Sequence, residues 1–134
     1  MPVLTVEHIA WNVADPAAIA AWYVEHLGMR IVRQSAAAPF IHFIADSKDR
    51  VVLELYCNDA DAIPDYASQH PLRLHLAFAA SDPDGSMSAL LAAGATFVSD
   101  QTTADGSRLI MLRDPWGLAL QLCKRVTPLI DRTR

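Results

Sequence analysis

Leu53 and Leu55 flank a single carboxylate, Glu54, and Leu120 and Leu122 flank a single amide, Gln121. This alternation predicts half-buried strands, with the leucines on one face and the polar residue on the other. Ile19, Trp22, Tyr23, His26 and Leu27 instead recur at three- and four-residue steps, which predicts a helix with one apolar face. Met87, Leu90 and Leu91 mark a similar face later in the chain. Each helix has the same punctuation. Asp15 and Asp82 are placed to cap the free N–H groups of the first turn. Pro16 and Pro83 follow at the first helical position, where a missing N–H is harmless. Gly28 and Gly94 are the expected stops. Val3–Val13 and Leu72–Ala80 are rich in aliphatic residues and read as strands. Three short strands are expected after each helix, at about 29–35, 40–45 and 50–57, then 95–103, 107–113 and 118–125. Gly106 and the Asp114-Pro115-Trp116-Gly117 run supply turns.

These elements occur twice at one spacing. The interval is 67 residues from His8 to His75, from Asp15 to Asp82 and from Glu54 to Gln121, and 66 from Gly28 to Gly94. The chain therefore divides into two homologous βαβββ modules, about 1–58 and 69–125. A polar linker, 59–68, joins them and has room for one helical turn. A charged tail, 126–134, follows. The fold class is α+β: two curved mixed sheets forming an open cup with helices outside, within one domain of 134 residues.

Strand alternation places His8 with Ala10 and Asn12, Glu54 with Val52 and Tyr56, His75 with Arg73 and Ala77, and Gln121 with Ala119 and Cys123. The apolar faces must lie under the helices, so the four polar residues belong to the concave, solvent-reachable face. A charge in the middle of an apolar strand is expensive unless paired, and Glu54 is such a charge. Two imidazoles and a carboxylate suit a borderline divalent ion such as Zn, Ni, Co, Mn or Fe. The glutamine oxygen of Gln121 is a weaker fourth ligand. The candidate metal ligands are thus His8, Glu54, His75 and Gln121, and such a centre favours oxyanions and enediolates. Arg33, Arg73 and Arg113 are candidates for an anionic substrate group, with Arg73 preferred for its face; Asn12 and Tyr56 are further substrate contacts. His26 suits a helix C-terminus. His42 is a minor candidate for a pocket wall, and Cys123 suits a small buried filler. Trp11, Trp22 and Trp116 are read as core or interface anchors.

Composition narrows the class. About half the residues are apolar (52%), and the formal net charge is −4. That balance argues against nucleic acid or an anionic membrane as partner, since both need a basic face. The chain has no apolar run long enough to span a bilayer, and its first residues do not resemble a signal peptide. Cys57 and Cys123 form no CxxC pair, so a reducing cytoplasm is the expected compartment. The expected partner is a small-molecule substrate. A homodimer is expected because open sheets leave edges to cover.

Glu7-His8-Ile9-Ala10 with Val13 and Asp15, Trp22-Tyr23 with Leu27-Gly28-Met29, Val52-Leu53-Glu54-Leu55, His75-Leu76-Ala77, and Asp114-Pro115-Trp116-Gly117 leading to Gln121 together resemble the vicinal oxygen chelate superfamily. That superfamily includes glyoxalase I, bleomycin-resistance proteins, methylmalonyl-CoA epimerase, fosfomycin-resistance transferases and extradiol dioxygenases. The resemblance covers about residues 4 to 125. It implies metal ligands at His8, Glu54, His75 and Gln121, and a lyase or isomerase of the glyoxalase I type in which Glu54 takes a proton next to a carbonyl. Gln121 departs from the bacterial glyoxalase I pattern, where a glutamate is usual. Two other activities are implied by the same family: metal-free small-molecule binding of the bleomycin-resistance kind, and an extradiol-type dioxygenase. The dioxygenase and fosfomycin-transferase patterns both want a carboxylate at the position of Gln121.

Overall fold

The two helices begin where their aspartates can reach back to them. In the computed structural model, which describes residues 1–131, Asp15 Oδ1 accepts from Ala18 N at 3.1 Å and Asp82 Oδ1 accepts from Gly85 N at 3.1 Å. Helix α1 then spans Pro16–Leu27 and α2 spans Pro83–Ala92. Gly28 closes α1 in the left-handed region at φ 68°. In the second copy Ala93 is the cap, and Gly94, at φ 104°, comes one residue later.

The strands are β1 (Ile9–Asn12), β2 (Arg30–Gln34), β3 (His42–Ala45), β4 (Val52–Tyr56), β5 (Leu76–Ala79), β6 (Thr96–Thr102), β7 (Arg108–Arg113) and β8 (Ala119–Lys124). A single 3-10 turn, Tyr66–Ser68, lies between β4 and β5. The chain divides into two compact units, Met1–Pro64 and Asp65–Arg134. Each holds one open four-stranded mixed sheet, in the order β1-β4-β3-β2 in the first and β5-β8-β7-β6 in the second. The outer pair is parallel, as a helical crossover requires, and the other neighbours are antiparallel. The parallel pairs of the two copies match rung for rung. Ala10 pairs with Glu54 and Ala77 with Gln121, and a bulge interrupts both β2–β3 (Ile31/Arg33) and β6–β7 (Phe97/Ser99). The fold is thus two βαβββ modules of the α+β class.

One face of each sheet makes a core. Ile44, Leu53 and Leu55 are fully buried in the first unit, where α1, carrying buried Ile19, Trp22 and Tyr23, packs on β2, β3 and β4. Ile110, Leu112 and Leu120 are fully buried in the second, where α2 with Leu90 packs on β7 and β8. His26 sits beside Trp22 at the end of α1, with ring centroids 5.2 Å apart. Leu91 is exposed rather than on the packed face. No helix among the described residues is long and apolar enough to cross a membrane.

Two expected strands are shorter than their hydrophobicity suggests. β1 starts at Ile9, and Val3, Leu4 and Val6 are exposed. Ile9 already pairs with Leu53, the second residue of β4, so residues before it have almost no neighbouring strand to join, and strand preference without a partner is weak. β5 starts at Leu76, because residues 71–73 form a turn in which Arg73 N donates to His70 O at 2.9 Å.

A second tie joins that region to the β7–β8 turn. The Arg113 guanidinium donates to the carbonyls of Tyr66 (3.0 Å), Gly117 (3.0 Å) and Gln69 (2.6 Å). Gly117, at φ 91°, lies against Ala67, so a Cβ there would stand 2.7 Å from the Ala67 backbone nitrogen. Gly117→Ala combines a strained φ with a backbone collision. It is expected to destabilise the chain by about 2 kcal/mol or more, read by urea denaturation; a change under about 0.5 kcal/mol, the range of inert surface substitutions, would count against this packing.

Candidate functional site

Glu54 points away from the core because its neighbours Leu53 and Leu55 occupy it. Its side chain is 18% exposed, and across the sheet it pairs with Phe43, which shares its face. His8 precedes β1 and leans over this face, its ring edge-on to Phe43 with centroids 5.4 Å apart. His8 Nε2 and Glu54 Oε2 are 3.9 Å apart. The other ring nitrogen, Nδ1, lies 3.0 Å from Glu7 Oε1. A carboxylate at Nδ1 holds the proton there, so in the neutral ring Nε2 keeps a lone pair directed towards Glu54's side of the sheet.

The second unit repeats the design with different chemistry. His75 Nδ1 lies 3.0 Å from the Pro71 carbonyl, which only accepts, so Nδ1 carries the hydrogen and Nε2 is again the free donor atom. Gln121 is half-buried on the same rung as Ala77. Its Oε1 accepts from Cys123 Sγ at 3.3 Å. Burial pushes the Cys123 thiol pKa up, against a smaller opposite pull from Arg125, so this cysteine is held as the thiol.

The His8–Glu54 pair has the donor chemistry and spacing for a divalent ion. Two ligand bonds of roughly 2.0–2.2 Å each reach donor pairs up to roughly 4 Å apart, which covers the His8–Glu54 separation. A hydrogen-bonded Nδ1 on both histidines is what orients imidazoles for metal binding. Within either unit, and among the described residues, no group of three or more His, Cys, Asp or Glu side chains stands together; the first unit brings together two, His8 and Glu54.

The expected substrate contacts fare differently. Tyr56 is half-buried on the Glu54 face. Asn12 is engaged by the backbone: its Nδ2 donates to Asn58 O at 2.9 Å and its Oδ1 accepts from Asn58 N at 2.8 Å, pinning the chain after β4 to β1. Arg73 is exposed in the turn before β5. The alternation that placed it beside His75 holds only for an extended chain, and this stretch is not extended. Arg113 is occupied by three carbonyls, as described above. Two neighbours of His8 were not anticipated in these roles. Phe43 could have been found from the alternation of β3. Glu7 stands next to His8 in sequence, but nothing in the residue order says that its carboxylate turns to the ring.

A family model described as a glyoxalase-like domain matches residues 8–123. Among solved structures, the chain is similar to a glyoxalase family protein from Bacillus cereus, at 16% identity and TM-score 0.76 over 92% of this chain and 95% of that one. It is similar to a member of the glyoxalase/bleomycin resistance protein/dioxygenase superfamily from Sphaerobacter thermophilus, at 18% identity and TM-score 0.71, covering 92% and 98%. It is also similar to TnmS3, an antibiotic binding protein from a Streptomyces species, at 20% identity and TM-score 0.70, covering 91% and 96%. No curated protein matches it.

Asn12→Ala removes both bonds to Asn58. The expected loss is about 1–2 kcal/mol, with faster amide exchange at Asn58; unchanged exchange there would show that Asn12 does not hold this segment.

Proposed function

Because the chain belongs to the glyoxalase-like domain family, we propose that it is a divalent-metal-assisted lyase or isomerase that removes a proton next to a carbonyl, with His8, Glu54, His75 and Gln121 as the ligand set and Glu54 as the base. The observation that carries this reading is the shared state of the two repeat-equivalent histidines: each has Nδ1 tied to an oxygen and Nε2 free, and His8 Nε2 lies 3.9 Å from the Glu54 carboxylate. A bound Zn, Ni, Co, Mn or Fe ion would supply Lewis-acid polarisation of the substrate carbonyl. Glu54, half-buried on the face opposite Leu53 and Leu55, would hold the ion in the ground state and swing off it to accept the proton from the adjacent carbon. Phe43 and Tyr56 flank it and limit water around the carboxylate. The neutral Gln121 stands where a second carboxylate would be an alternative base, which leaves that role to Glu54.

A second reading follows from the gathering of only two metal-type side chains in the first unit. On that reading the chain is a metal-free small-molecule binding protein, and the half-buried polar groups bond to the ligand directly.

Two measurements separate them. Elemental analysis after purification from metal-supplemented medium should find a bound divalent ion that is lost in His8→Ala and in His75→Ala; a metal-free wild-type chain favours the binding protein, and metal retained in His75→Ala removes that histidine from the ligand set. Glu54→Gln should lower turnover of a hemithioacetal or a 2-acyl-CoA by about 100-fold or more with the melting temperature unchanged. Full activity in that variant would show that another group is the base.

A further inference from the structure

The opposite face of the first unit carries an opening whose lining differs in chemistry from that of its counterpart in the second unit. A crevice of about 530 Å³ lies among the first turn of α1, the end of β2 and the start of β3, lined by Pro16, Ala17, Gln34, Phe40 and His42. We propose that this crevice is a second small-molecule site, for a neutral, mainly apolar compound with one hydroxyl or N–H donor, and that His42 Nε2 accepts that hydrogen.

His42 alternates with Phe43, so it faces away from Glu54 and towards the helix side. Its residue exposure is 8%. Nδ1 lies 2.8 Å from the Phe40 carbonyl, which can only accept, so the hydrogen is on Nδ1 and the neutral ring presents a bare lone pair at Nε2. No group among the described residues bonds to Nε2. Among the described residues no buried side-chain nitrogen or oxygen lacks a partner, so the unbonded Nε2 is not sealed in the core; it opens on a space in the size range of small-molecule pockets.

The repeat supplies the comparison. His42 pairs with Gln34 and Leu55, and the equivalent rungs of the second unit join Ile110 to Asp100 and Leu122. The second copy thus has a fully buried isoleucine where the first has the histidine. Its matching crevice, about 380 Å³ and lined by Asp82, Pro83, Asp84 and Arg108, is spanned by charge. Arg108 donates to Asp84 at 2.7 Å and to Asp100 at 2.7 and 3.0 Å, and Phe40 stands at the position equivalent to Arg108. Packing alone is therefore met by isoleucine at this rung, and the first copy departs from it with a half-satisfied polar group and an exposed aromatic wall.

Charge selects the ligand class. Among the lining residues the one formal charge is Asp15, whose Oδ1 already accepts from Ala18 N. No cationic side chain lines the crevice, and the Asp15 carboxylate already occupies the N-terminus of α1 that borders it, so a second carboxylate or a phosphate is disfavoured. A neutral donor on an apolar body fits; phenol is the simplest probe.

The test is titration of the full chain with phenol, followed by NMR of the histidine rings. A saturable shift of the His42 resonances is expected, with toluene binding several-fold more weakly. His42→Ile, which installs the second unit's residue, should weaken phenol binding about tenfold, the worth of one hydrogen bond. Ala17→Phe, at an exposed position of the lining, should block phenol while leaving His42 in place. His8→Ala should leave phenol affinity unchanged, so this outcome is independent of the metal reading. Absence of a saturable His42 shift, phenol affinity within twofold of wild type in His42→Ile, or tighter binding of benzoate than of phenol would each overturn the proposal.

Discussion

Parallel pairing of the first and last strands of each module is the constraint from which the candidate chemistry follows. Side chains of a strand alternate faces, so one choice of register decides whether Glu54 joins Leu53 and Leu55 under the helix or stands opposite them. The pairing of Ala10 with Glu54 settles that choice in the first unit, and Ala77 with Gln121 repeats it in the second. The leucines beside each polar residue hold this register, because a slip by one residue would bury a carboxylate or an amide and expose two leucines. Core packing and site placement are thus the same event: the buried Leu53 and Leu55 are what aim Glu54 at His8.

Local signals in the chain were enough for most of this. The aspartate caps, the prolines after them and the leucine alternation are each decided by neighbours within a few residues, and the structure has the helices and the six later strands close to where those signals placed them. The 67-residue repeat added what no single segment could, the equivalence of His8 with His75 and of Glu54 with Gln121. Other features depend on distant partners. The Arg113 side chain found three carbonyls around the 66–69 turn, the Asn12 amide found the backbone of Asn58, and residues 3–8 found no strand. An arginine or an asparagine on a strand reads the same whether it awaits a substrate or closes a loop. Only the fold tells them apart.

The duplication also shows how unequal two copies of one framework have become. The first unit keeps a carboxylate near its histidine and supports the ring with Glu7. The second has an amide that accepts from a buried thiol, and a histidine supported by a backbone carbonyl. On the helix side the contrast runs the other way, with the ion cluster of Arg108, Asp84 and Asp100 in the second unit and Phe40 and His42 in the first. In the cluster the arginine holds both carboxyl pKa values below their usual range through its hydrogen bonds.

The rungs further show where the chain has been free to change length. From Gln34 to His42 there are eight steps, and from Asp100 to Ile110, the matching rung, there are ten. The second hairpin has grown by two residues, continuing its ladder through Gln101↔Leu109 and Thr102↔Arg108. An even increment is the kind a hairpin absorbs by adding a rung on each side, leaving inward residues inward. Differences of a single residue fall at the helix end and between the third and fourth strands of each module, where a loop can take them up without passing the offset on. By the last strand the spacing is back to that of the first, so growth and loss have been confined to connections while the two outer strands have kept step.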